Sequence, residues 1–223
     1  MNNRLAKAAV VAVASMLLAG CGQQAGAAAI VGSTRITDSQ VDAVARGLCS
    51  ANTSGGSDVA NLPSRGARSG ALDVLLESEL SRQFGAAKRV LPDEEQVSQA
   101  LAATDPNVQS LPASERPAFH AALKAYAEGQ LMLITIGKRS LRAQGQATVT
   151  QAQAVAQGTK LRNTYAKSLH VTVDPRFGTW VDNTLRFASG SLSVAQSLRA
   201  TQGARSDPTS LWSAELPPSQ TCG

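Results

Sequence analysis

Between Ser114 and Gln144 the chain carries its longest run of helical periodicity, and one stretch inside that run leaves no side for water. Phe119, Leu123, Tyr126, Leu133 and Leu141 recur at the three- and four-residue spacing of a single helix face. From Leu131 to Ile136 the sequence LMLITI is apolar all round, and a helix with no polar face at one level must be covered on every side there. Pro117 does not interrupt this helix, because N–H groups of a first turn lack helical partners anyway. A buried strand is the competing reading of LMLITI, and the length and period of its flanks count against it. A central helix of this kind requires others around it, so the expected class is mainly α.

The surrounding helices announce themselves by their starts. Thr37 with Gln40 forms a capping-box pair, followed by Val41, Val44 and Leu48 on one face, with a stop near Asn52 where TSGGSD begins a loop. A second helix is expected from about Ala67 to Phe84, with Leu72, Leu75, Leu76, Leu80 and Phe84 as its stripe and Gly85 at its end. A third is short, opened by Asp93, carrying Val97 and Leu101, and closed at Asp105-Pro106. The last opens at Thr150 with Gln153, carries Val155, Leu161, Tyr165 and Leu169, and ends near His170.

Two β-branched segments flank this helical run: AAIVGSTRIT at 28–37 and VTVDPRFGTW at 171–180. They are expected to pair through Ile30-Val31, giving a small two-stranded element built from the N-terminal and post-helix segments. An ordered domain over 29–182 follows, and 183–223, rich in Ser, Gly, Pro and Thr, reads as a tail of low regularity held by Cys222.

The first residues read as an export signal. Arg4 and Lys7 precede an uncharged run from Ala8 to Leu18. That run has 11 residues, against about 20 needed to cross a bilayer as a helix. Leu18-Ala19-Gly20-Cys21 resembles the lipobox of bacterial lipoproteins, in which the cysteine is acylated and the chain is cut just before it. The expected layout is a signal peptide at 1–20, a lipid on Cys21, a flexible linker over 21–28, and a location at the extracytoplasmic face of a cell membrane. Removing 20 of 223 residues leaves 203, and the formal net charge falls from +5 to +3.

The remaining cysteines, Cys49 and Cys222, suggest one disulfide in an oxidising compartment; two separate thiols are the other reading. A loop of about 170 residues would be closed, contributing on the order of 5 kcal/mol in the chain-entropy account. His120, His170 and these distant cysteines have no zinc-ligand spacing, and no GxxxxGK[ST], GxGxxG, GxSxG or HExxH string occurs. Neither histidine has a nucleophile and orienting group at hand, and Asp93, Glu94 and Glu95 are explained by a helix N-terminus. No cofactor and no catalytic residue is therefore assigned. With no Lys/Arg block and few aromatic residues, nucleic acid is not an expected partner.

Two segments carry a family resemblance. The first is 28–45, a strand and Gly turn leading to Ile36 and the Thr37 cap. The second is the return segment Val171, Val173, Asp174, Pro175, Arg176, Phe177, Gly178 and Trp180. Together, over about 28–182, they resemble the N-terminal chaperone region of SurA/PrsA-type exported foldases, which itself resembles the peptide-binding region of trigger factor. That resemblance implies a helical lobe closed by terminal strands that holds partly unfolded exported polypeptides. In those foldases a parvulin-type prolyl isomerase domain of about 90 residues usually follows; here 43 residues remain after Trp180, without histidine, so isomerase activity is not carried over.

A holder of unfolded chains must present apolar surface. Leu76, Leu80 and Phe84 of the second helix and Phe119, Tyr126, Leu131 and Met132 of the longest one are the candidates, with plain core packing as the alternative for each. The expectation is a membrane-anchored, chaperone-like lipoprotein binding unfolded or extended secreted polypeptides without isomerase activity. A structural or partner-binding envelope lipoprotein and a peptidyl-prolyl isomerase are the alternatives.

Overall fold

The fold comes from a computed structural model that describes residues 25–54, 62–187, 212 and 215–222. Cys21, the leader before it, and 188–211 of the expected tail lie outside the described residues. In chain order the elements are β1 Ala27–Val31, β2 Thr34–Thr37, α1 Asp38–Ser54, α2 Ser64–Ala87, α3 Glu94–Ala102, α4 Asp105–Ser110, α5 Arg116–Ala143, α6 Gln151–Ala166, β3 Val171–Val173, β4 Gly178–Val181 and β5 Thr184–Phe187. The protein is mainly helical with a small antiparallel sheet.

The three N-terminal signals act as written. The Thr37 N–H donates to Gln40 Oε1 at 2.8 Å while the Gln40 N–H donates to the Thr37 hydroxyl at 3.2 Å. Thr150 and Gln153 repeat the exchange at 2.9 and 3.3 Å, and Asp93 accepts from the N–H groups of Glu95 and Gln96. Each pair satisfies donors that the first helical turn leaves without partners. LMLITI is helical, with Met132, Leu133 and Ile136 buried, but Leu131, Ile134 and Thr135 are half-buried, so the stretch is not covered on every side as expected; α5 touches each of the other five described helices.

Besides α6, which ends at Ala166 rather than near His170 and so leaves Leu169 beyond it, four differences from expectation stand out. Helix α2 passes through Gly85 to Ala87, because Gly85 serves packing: a Cβ there would overlap Met132 Sδ. The helix ends instead at Arg89, whose φ of 52° is left-handed. The Val90 N–H donates to Gly85 O at 2.9 Å and the Arg89 N–H to Ala86 O at 3.1 Å, a Schellman closure with arginine where glycine is usual. Asp105-Pro106 opens the short α4, since proline fits a first helical turn. The expected linker over 21–28 is too long, for β1 starts at Ala27 and Ala28 is fully buried.

The fourth difference is in the sheet. It has three strands rather than two, in the order β2-β1-β3, all antiparallel. Ile30 does face Thr172 and Val31 faces Val171, but Gly32 (φ 60°) turns the chain so that β2 pairs on the other side of β1. A separate hairpin, β4–β5, crosses the expected boundary at 183. Its turn residues Asp182 and Asn183 have φ of 53° and 60°, the left-handed pair of a type I′ turn, and Leu185 beyond it is buried.

The return segment has a mechanical role. Asp174 accepts from the Arg176 backbone N–H at 2.9 Å and from its guanidinium at 2.7 Å, and the same guanidinium reaches Asp38 at 2.8 Å. Phe177 is buried, with Arg68 stacked 4.9 Å from its ring centre. The strand that closes the lobe is thereby fastened to the first residue of α1. Cys49 and Cys222, 173 residues apart, are joined as a disulfide. The Cys222 N–H donates to Leu62 O at 2.8 Å beside a Pro63–Thr221 bridge, which seats this end of the chain on the α1–α2 connection.

Candidate functional site

Five of the seven apolar candidates belong to the core. Leu76, Leu80 and Phe84 are at most 1% exposed, and Phe119 and Met132 about 5–6%. The reason lies in the periodicity that singled them out: residues at i, i+4 and i+8 on α2 face inward because neighbouring helices cover that face. Phe119 fills the space left by Gly47 of α1, where a Cβ would lie 2.6 Å from its ring. As a ready-made docking surface these five are corrected; Leu131 is half-buried, and Tyr126 alone is exposed, at 37%.

A concavity runs beside β2. It holds about 160 Å³, room for a side chain or two, between β2, the α2 residues Leu75, Glu79 and Arg82, and the α5 residues Ala125, Glu128 and Met132. Leu75 and Ala125 are half-buried and give it an apolar floor. Among the described residues β2 has a strand on one side only, so one row of its backbone groups faces away from β1. An unpaired edge over an apolar groove can take an extended chain by strand addition, with backbone hydrogen bonds for affinity and a pocket for alternate side chains.

The rim is charged and already paired. Burial pushes the Glu79 carboxyl up, but hydrogen bonds from Arg82, Gln83 and Thr34 outweigh it and hold the group below the ordinary carboxylate value. Arg82 reaches Glu79 at 2.6 Å, and Gln83 also donates to Val31 O at 2.9 Å, so the wall of the groove is braced against β1. Lys124 bonds Glu128 and lies 3.5 Å from Glu94, linking α5 to α3. These groups orient a wall.

On the opposite margin of α2 a second charged group meets α6. Arg162 is 4% exposed and its guanidinium lies 3.4 Å from Glu77 and 3.0 Å from Asn163. Burial raises the Asp73 carboxyl, Glu77 raises it further, and Arg162 partly opposes both. Burial likewise raises the nearby Tyr126 hydroxyl. The arrangement ties α2 to α6.

Of the residues that line the groove, sequence reasoning singled out only Met132 as a docking residue and placed Leu75 in the α2 stripe. Thr34, Arg35 and Ala125 carry no periodic signal of a site, because they meet only after β2 folds back over α2. The chain matches no family model, no curated protein and no solved structure.

Proposed function

We propose that this chain is a lipid-tethered holder of extended exported polypeptides, a module of the SurA/PrsA chaperone type. The tether is Cys21, joined to the fold by a spacer only a few residues long, so the domain works against the membrane surface. The observation that carries the reading is the edge of β2 that has no strand beside it among the described residues, above the Leu75–Ala125 groove. The closing of a helical lobe by strands from both ends of the run supports the family assignment.

With five of the seven apolar candidates sealed in the core, binding is shallow and depends on backbone pairing more than on captured hydrophobic mass. The test is suppression of aggregation of a reduced, unfolding client by the full chain in detergent micelles. Ala125→Arg, which fills a half-buried surface position, is expected to abolish suppression with an unchanged melting temperature, and a proline-limited refolding step should run at its uncatalysed rate. Unimpaired suppression by Ala125→Arg sinks the groove. The sealed core also favours a second reading, a lipoprotein that docks one folded partner; crosslinking at Ala125→Cys in cells would then recover one stoichiometric protein instead of many.

A further inference from the structure

A second cleft, sharing no residue with the groove, opens between the end of α6 and the β4–β5 hairpin. It holds about 350 Å³ and is lined by Lys167, Leu169, His170, Trp180, Asp182 and Asn183. That volume falls at the lower end of the range of small-molecule sites, about 300–1,000 Å³.

The lining is held in place from both sides. Trp180 sits on β4 and is half-buried, packed in part against the main core. Asp182 and Asn183 occupy both left-handed positions of the tight turn, which fixes their backbone. The Gly32 N–H donates to His170 O at 2.9 Å and so holds the other wall to the sheet. The chain has two tryptophans: Trp212 is buried with Arg65 stacked 4.8 Å from its ring centre, whereas Trp180 lines this opening.

The chemistry of the lining narrows the ligand. Lys167 and Asp182 supply one charge of each sign, so no strong field selects an anion or a cation. The Asp182 side chain is 86% exposed, 3.9 Å from Arg186, and so its carboxylate is open to a ligand. What remains is an aromatic and aliphatic surface bordered by a carboxylate, a carboxamide, an imidazole and an ammonium, groups that accept from and donate to hydroxyls. A pyranose ring offers the complement: an apolar C–H face and an edge of hydroxyls. We propose that this cleft binds a neutral saccharide, with Trp180 under the sugar face and Asp182 and Asn183 on its hydroxyls.

The experiment is calorimetric titration of the full chain in detergent micelles with N-acetylglucosamine, its β-1,4-linked trimer, glucose and maltotriose. Concentrations run to about 10 mM, tenfold above the ~1 mM dissociation constant of a weak site. Saturable binding of at least one probe is expected, with emission of Trp180 changing in parallel on a Trp212→Phe background. Tighter binding of a trimer identifies a glycan strand as the source, and equal binding of the monomer a single sugar unit. Asp182→Asn, which keeps a residue tolerant of the left-handed turn, should weaken binding about tenfold, or about 1.4 kcal/mol, with an unchanged melting temperature. Trp180→Ala should abolish it. No saturable binding of any probe, or equal affinity in Asp182→Asn and Trp180→Ala, overturns the proposal.

Discussion

Helix α5 meets α6 along Gly137 and Gly158, and it meets α2 along Gly85 and Gly129, but different atoms fill the missing Cβ positions. A Cβ on Gly137 would overlap the carbonyl oxygen of Ala154, and one on Gly158 the carbonyl oxygen of Leu133. Here backbone touches backbone. On the α2 side the neighbours are side chains: Met132 Sδ for Gly85, and Ser81 Cβ, 2.9 Å away, for Gly129. One seam is locked by groups that cannot move without bending a helix; the other is closed at Gly85 by a flexible thioether, though at Gly129 by a Cβ as fixed as its own helix. The groove beside β2 opens over the second seam, with Met132 in its wall. A surface able to adjust to a guest belongs where side chains, rather than main chains, set the spacing.

The largest expected effect breaks the locked seam. Gly137→Ala or Gly158→Ala should destabilise by about 3 kcal/mol in urea unfolding, because each forces α5 and α6 apart. Gly85→Ala should fall within about 1 kcal/mol of the parent, since gained helix propensity offsets the displacement of Met132. Equal losses at Gly85 and Gly158 would erase the distinction between the seams.

A smaller effect tests the margin where α2 faces α6. Burial raises Asp73, so its protonated form suits the fold, and stability is gained as pH falls through the raised native value toward 3.8. Asp174 runs the other way: hydrogen bonds from Arg176 hold it low, and its contribution is present above 3.8 and lost as pH falls through the native value. Asp73→Asn should therefore stabilise the fold near pH 7 by no more than about 1 kcal/mol after solvent screening, read as a higher melting temperature. Asp174→Asn should lower it there and have no effect in strong acid. Melting curves across pH 2–8 read both, and a gain from Asp174→Asn at neutral pH would refute its role as a fastener.

The smallest effect concerns the end of α2. Arg89→Gly should stabilise by about 0.5 kcal/mol, because glycine accepts φ of 52° without a Cβ penalty but loses more conformational freedom on folding. Chemical denaturation compares the two; a loss would mean that the Arg89 side chain supports the seam beyond its backbone.

Much of the helical frame was legible from local pattern. Thr37, Asp93 and Thr150 mark helix starts because a cap needs only residues three positions apart, and α5 shows itself because its apolar residues keep helical spacing over a long run. The return segment was legible as a partner of β1 through its β-branched pair. Gly85 misled because glycine ends helices by conformational freedom but also sits inside them for close approach, and a single chain segment does not distinguish these uses. Apolar periodicity on α2 and α5 was equally ambiguous: it marks a buried face without saying whether protein or guest buries it.

By itself, then, the sequence determined where three of the helices begin, which faces are apolar, which helix is central and which segments return to the first strand. Each of these depends on residues within a few turns of one another or on a simple period. Only the tertiary structure decided that Leu76, Leu80, Phe84 and Phe119 are consumed by the core, that β2 becomes an edge over Leu75 and Ala125, and that Trp180 shares a cleft with Lys167. Those outcomes depend on contacts between residues tens of positions apart, set by how closely glycine lets two helices approach.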